Sequence, residues 1–139
     1  MKAPSASPRF LVVDDEEVDR IALARGFRRA GFHCELTMAR DGKEALGLLQ
    51  SESVERPYLV LLDLNMPRMG GFALLDAIRA DSSIRKTVVF VLTTSDDDAD
   101  IENAYRKGVA GYVVKGQSGD TFVGLASLLE RYWRTVRLP

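Results

Sequence analysis

Cysteine is almost missing from this chain of 139 residues: Cys34 stands alone. One thiol closes no internal disulfide and offers no cysteine cluster for zinc, so a reduced, cytoplasmic setting fits and Cys34 is expected to pack as a small hydrophobe. Histidine is as scarce, with His33 the one example, lying in a predicted strand and read as structural. No apolar run approaches the ~20 residues that span a bilayer. Met1–Arg9, rich in Pro, Ser and Ala, lacks the apolar core of a signal peptide and is expected to form a disordered leader on a soluble chain. Neither sign of charge is in excess: 19 Lys and Arg stand against 20 Asp and Glu. That balance, with no long basic run, argues against direct nucleic-acid binding.

What is present is an ordinary globular balance, 46% hydrophobic and 28% charged, in a length that fits one domain. Its centre is the stretch Tyr58-Leu-Val-Leu-Leu-Asp63-Leu-Asn65-Met66-Pro67. An apolar run of that kind reads as a strand buried on both faces, in the middle of a parallel sheet. Phe10–Val13, Phe32–Ala39, Val88–Leu92 and Gly111–Val114 read as the other strands. Between them lie helical patterns. The first, about Val18–Ala30, buries Leu23, Phe27 and Ala30 and leaves Arg20, Arg25, Arg28 and Arg29 in solvent. The next three run from about Lys43 to Ser51, from Phe72 to Arg79, and from the acids Asp96–Asp98 to Lys107. The last, about Gly119–Val136, is broadly apolar and includes Tyr132 and Trp133, as core residues or as anchors for a partner. Five strands alternating with five helices predict an α/β fold, a doubly wound parallel sheet.

In such a sheet all strands point the same way, so the residues just after each strand gather on one edge. That edge should hold Asp14 and Asp15, then Asp63 and Asn65, then Thr93, then Lys115. Three carboxylates in one crevice resist joint ionisation unless a cation intervenes. Oxygen donors of this type suit Mg2+, which binds one or two carboxylates and keeps several waters. With such a cation, Asp63 is a plausible nucleophile toward phosphorus, Lys115 a cation for one phosphoryl oxygen, and the Thr93 hydroxyl a donor to another.

Taken together, Asp14-Asp15, the strand ending in Asp63 with Asn65-Met66-Pro67 and Gly70-Gly71, Thr93, Tyr112 and Lys115 resemble the receiver domain of two-component response regulators, in order and from Phe10 to Val136. The resemblance implies a flavodoxin-like sheet of order 2-1-3-4-5, with residues 10–139 forming the receiver. It implies that a sensor histidine kinase phosphorylates Asp63 and that Asp15, Asp63 and the Asn65 carbonyl ligate Mg2+, with Asp14 acting directly or through water. Thr93 and Tyr112 would form the switch, the protein signalling without turning over a metabolite. Receivers commonly carry proline after the lysine; here Gly116 follows Lys115, so that rigid turn is absent or replaced.

The carboxyl-terminal Glu130–Pro139, with Leu92-Thr93-Thr94-Ser95, is similar to the single-domain regulators that accompany phytochrome-type kinases. That likeness implies a stand-alone regulator acting on a downstream protein, and a homodimer through the fourth helix, fifth strand and fifth helix. A second class of reading is a small Mg2+-dependent phosphohydrolase using an aspartyl-phosphate. Such enzymes of the haloacid-dehalogenase type need a second aspartate two positions after the nucleophile, where this chain has Asn65.

Overall fold

The computed structural model describes residues 7–116 and 120–139. Each apolar run becomes a strand and each amphipathic stretch a helix: β1 (Arg9–Val13), α1 (Glu17–Arg29), β2 (Glu35–Ala39), α2 (Gly42–Gln50), β3 (Leu59–Leu62), α3 (Gly71–Ala80), β4 (Val89–Thr93), α4 (Asp98–Arg106), β5 (Gly111–Val114) and α5 (Asp120–Thr135). The strands form one parallel sheet in the order β2-β1-β3-β4-β5. This is the predicted doubly wound architecture.

Alternation along the strands divides the interior into two cores. Leu11 and Val13, Val60 and Leu62, and Val89 and Val91 face one side, where they meet Ala45 and Leu49 of α2, Leu74, Leu75 and Ile78 of α3, and Ala104 of α4. Phe10 and Val12, Leu59 and Leu61, and Phe90 and Leu92 face the other, against Leu23 and Phe27 of α1 and Leu125, Ala126, Leu129 and Trp133 of α5. β1, β3 and β4 are thus covered on both faces, which is why their sequences show no polar alternation. Helix starts are chemically marked: the Asp41 carboxylate accepts the Glu44 amide at 2.8 Å and the Asp97 carboxylate accepts that of Ala99 at 2.9 Å.

Two local expectations are corrected and one open reading is settled. β2 begins at Glu35 rather than Phe32, because β1 begins at Arg9, pairs there with Glu35, and offers nothing to residues 32–34. Phe32 instead turns into the core, its ring 5.7 Å from that of Phe10, and His33 lies exposed in the connection. At the amino end, Arg9 is a strand residue and the Pro8 carbonyl accepts the Glu35 amide at 2.8 Å; the rest of the expected leader, residues 1–6, lies outside the described residues. In α5, Trp133 is a core residue, 3% exposed, and Tyr132 meets Phe90 edge to face at 5.0 Å. Neither ring is an exposed anchor, because α5 packs along α1 and across the sheet. Gly119, the expected start of this helix, lies outside the described residues.

Candidate functional site

Asp14 leaves β1, Asp63 leaves β3, Thr93 ends β4 and Lys115 leaves β5, so in-register parallel pairing brings residues up to 101 positions apart to one edge. Carboxylate oxygens of Asp14, Asp15 and Asp63 lie within 4.8 Å of one another. Asp14 and Asp63 are buried and Asp15 is half-buried. Asp14 is held at both oxygens: Oδ1 accepts the Glu16 amide at 2.9 Å and Oδ2 accepts from Lys115 Nζ at 2.7 Å. Asp15 has no such partner among the described residues. Asp63 is loosely held, with the Asn65 amide 3.5 Å from Oδ1 and Lys115 Nζ 3.9 Å from Oδ2.

The electrostatics follow from that geometry. Burial pushes the Asp63 carboxyl above the usual aspartate range; Lys115 opposes the shift and the Asp14 charge adds to it. Lys115 shows the reverse balance. Burial disfavours its charge, but the carboxylates of Asp14 and Asp19 outweigh that and hold its ammonium above the ordinary lysine value. Thr93 is fully buried. Its hydroxyl lies near enough to favour the ionised form of Asp63, yet among the described residues it has no partner in hydrogen-bonding geometry. A buried donor left without a bond is costly.

The flanking groups are also placed. The Tyr112 hydroxyl, on β5, donates to the Ser95 carbonyl at 2.8 Å, spanning the loop after β4. Asn65 is exposed in the β3–α3 connection. That connection is pressed onto Asp63 by Gly71, where a Cβ would fall 2.6 Å from the Asp63 carbonyl oxygen. The Gly116 amide, which a proline would lack, donates to Thr121 Oγ1 at 3.0 Å and so ties the end of β5 to α5. Two residues at the site escaped sequence reasoning. Asp19 binds Lys115 at 2.8 Å, and Arg20, expected in solvent, donates to the Asp14 carbonyl. No helical spacing signals the Asp19 contact, because Lys115 lies 96 positions away in the chain.

A family model for the response regulator receiver domain matches residues 10–126. The chain belongs to that family. The receiver is 33% identical over 127 residues to the probable methanogenesis regulatory protein FilR2 of Methanothrix harundinacea, covering 89% of this chain and 82% of that one. It is 31% identical over 135 residues to response regulator Rcp1 of Synechocystis sp., covering 94% and 92%. A structure of the Mn2+-bound form of Rcp1 superposes with a TM-score of 0.82, at 31% identity and with 95% and 99% of the two chains covered. The phosphorylated cyanobacterial phytochrome response regulator RcpA superposes with a TM-score of 0.85, at 28% identity and covering 96% and 99%. The solved structures that the receiver is similar to thus include a phytochrome response regulator. No helix among the described residues is long and apolar enough to cross a membrane.

Proposed function

We propose that this receiver accepts a phosphoryl group on Asp63 from a sensor histidine kinase of the phytochrome type, in a Mg2+-dependent reaction, and signals by protein contact. The observation that carries the reading is the pairing of a three-carboxylate cluster with a fully buried Thr93 hydroxyl, unpartnered among the described residues, and a buried ammonium at Lys115. The donor set fits a hard divalent cation, since every side-chain ligand is a carboxylate oxygen. Asp15 and Asp63 would hold it with the Asn65 carbonyl, and Asp14 would serve directly or through water. When bound, such a cation neutralises charge on the incoming phosphoryl oxygens.

The chain's own residues do the rest. An Asp63 oxygen forms the bond to phosphorus as the bond from phosphorus to the donor's imidazole nitrogen breaks, and that nitrogen recovers its proton from solvent. Lys115 and Thr93 donate hydrogen bonds to the transferred group's oxygens. Thr93, once engaged, and Tyr112 form a two-state packing element biased by the new charge. The Mn2+-bound form of Rcp1 and the phosphorylated RcpA support this reading by relation. Exposed Val18 and Ile21 on α1 offer the kinase an apolar surface beside the site. Tyr105, Val114 and Leu128, 50%, 40% and 50% exposed on α4, β5 and α5, support homodimerisation through that face. Asn65 in place of a general acid argues against rapid hydrolysis of the acyl phosphate.

The test is incubation with acetyl phosphate and Mg2+, comparing the intact chain with Asp63→Asn by mass spectrometry and size-exclusion chromatography. A base-labile gain of one phosphoryl group in the intact chain alone is expected, with a shift in elution on phosphorylation. Absence of any adduct in the intact chain while Mg2+ binds would sink the phosphoacceptor reading.

A further inference from the structure

Lys115 is held by more than the strand-tip carboxylates. Its ammonium has three N–H donors. One meets Asp14 Oδ2 at 2.7 Å and another meets Asp19 Oδ2 at 2.8 Å, while Asp63 Oδ2 stands at 3.9 Å, close but unbonded. The Lys115 side chain is only 8% exposed, so its charge depends on those two anions. They differ in kind. Asp14 belongs to the carboxylate cluster that can hold a cation, and its other oxygen already accepts the Glu16 amide. Asp19 lies outside that cluster, in the first turn of α1, where the positive end of the helix favours an anion. It is therefore the anchor of Lys115 that no cation in the cluster shares.

We propose, resting on Asp63 as phosphoacceptor, that Asp19 is a positioning residue for phosphoryl transfer: with Asp14 it clamps Lys115 at two points and leaves the third N–H for an oxygen of the group arriving on Asp63. Lys115 moves no proton in this step. The phosphorus–donor bond breaks, the Asp63 oxygen–phosphorus bond forms, and Lys115 contributes a hydrogen bond held in place beforehand. Without Asp19, two of its three donors are unassigned and the ammonium swings about a single anchor.

Asp19→Asn, Asp19→Ala and Asp19→Glu, made in the full chain, test this with acetyl phosphate and saturating Mg2+. Asp19→Asn and Asp19→Ala are expected to accept phosphoryl about tenfold more slowly, with Asp19→Glu recovering part of the rate. In a Lys115→Ala background the Asp19→Asn change should cost nothing further, because Asp19 acts through Lys115. A second readout needs no phosphodonor: the 15N-resolved ammonium signal of Lys115, protected from exchange in the intact chain with Mg2+, should broaden or vanish in Asp19→Asn. Unchanged or faster phosphorylation of Asp19→Asn overturns the clamp, and so does an equal loss with and without Lys115. An intact chain that takes no phosphoryl group at all fails differently, overturning the phosphoacceptor reading itself, while the ammonium signal still reports whether Asp19 holds Lys115.

Discussion

The two edges of the sheet are built to opposite rules. At the amino end of β4 and β5, the Arg79 guanidinium reaches from α3 and donates to four carbonyls: Lys107 at 2.9 Å, Arg85 and Thr87 at 2.7 Å, and Gly108 at 3.0 Å. Nearby, Thr87 Oγ1 donates to the Ile84 carbonyl at 2.6 Å. Those groups are neutralised or bonded within the chain and ask for nothing from outside. At the carboxyl edge, Asp14, Asp19 and Asp63 gather round one lysine, and among the described residues neither the Asp15 carboxylate nor the Thr93 hydroxyl has a hydrogen-bond partner. At the first edge hydrogen bonds offset the cost of burying a charge; at the second they do so less completely. Among the described residues, the one buried side-chain polar atom without a partner, Thr93 Oγ1, lies at that second edge.

The contrast is broken most completely at Asp63. Asp63→Asn should reduce phosphoryl incorporation to background by mass spectrometry, and should also raise the melting temperature of the cation-free chain at neutral pH. The sign follows from the raised pKa of Asp63: between the ordinary value of 3.8 and the folded value, the native state binds more protons than the unfolded state. Wild-type stability therefore rises as pH falls through that window, and the advantage of the mutant should shrink on acidification. Cation binding and phosphorylation should fall over the same acid limb, at a higher pH than for an unperturbed aspartate.

Gly71→Ala carries the next largest effect. Its Cβ would stand 2.6 Å from the Asp63 carbonyl oxygen and 2.7 Å from Leu64 Cα, both backbone atoms. Urea unfolding should show a loss of about 2–4 kcal/mol, with phosphorylation impaired because Asp63 itself is displaced. Arg79→Met, at the satisfied edge, should cost about 2–3 kcal/mol by the same measurement. Its phosphorylation rate at a temperature where it is folded should stay within about twofold of wild type, since Arg79 lies at the far end of the strands. Thr93→Val is the mildest. Replacing an unpartnered hydroxyl with a methyl of the same shape should leave cation-free stability unchanged or raise it by about 1 kcal/mol, while slowing phosphoryl acceptance.

Much of the carboxyl edge was legible because a fully buried parallel strand announces itself as an apolar run, and whatever polar residue ends it must lie at the tip. Asp14, Asp63, Thr93 and Lys115 were all placed in this way. Asp19 and Arg20 were not, because an acid and a base in the first turn of a surface helix look like solvated charges. Only the packing of α1 beside the β5 tip turns Asp19 toward Lys115. Gly26 is a similar case: a glycine in mid-helix looks like a weakness, but α5 crosses so closely there that a Cβ would fall 2.6 Å from Phe122 Cβ. Trp133 was ambiguous for the opposite reason, since an apolar helix does not state which of its faces is covered.

By itself, the sequence determined the alternation of strands and helices, the parallel sheet, and the chemistry gathered at its carboxyl edge, because these depend on periodicity and on the order of residues along each segment. Tertiary structure decided which acids hold Lys115, that Thr93 finds no bond among the described residues, that Trp133 is core, and that Arg79 closes the opposite edge. Those outcomes depend on distances between segments far apart in the chain, which no local pattern encodes.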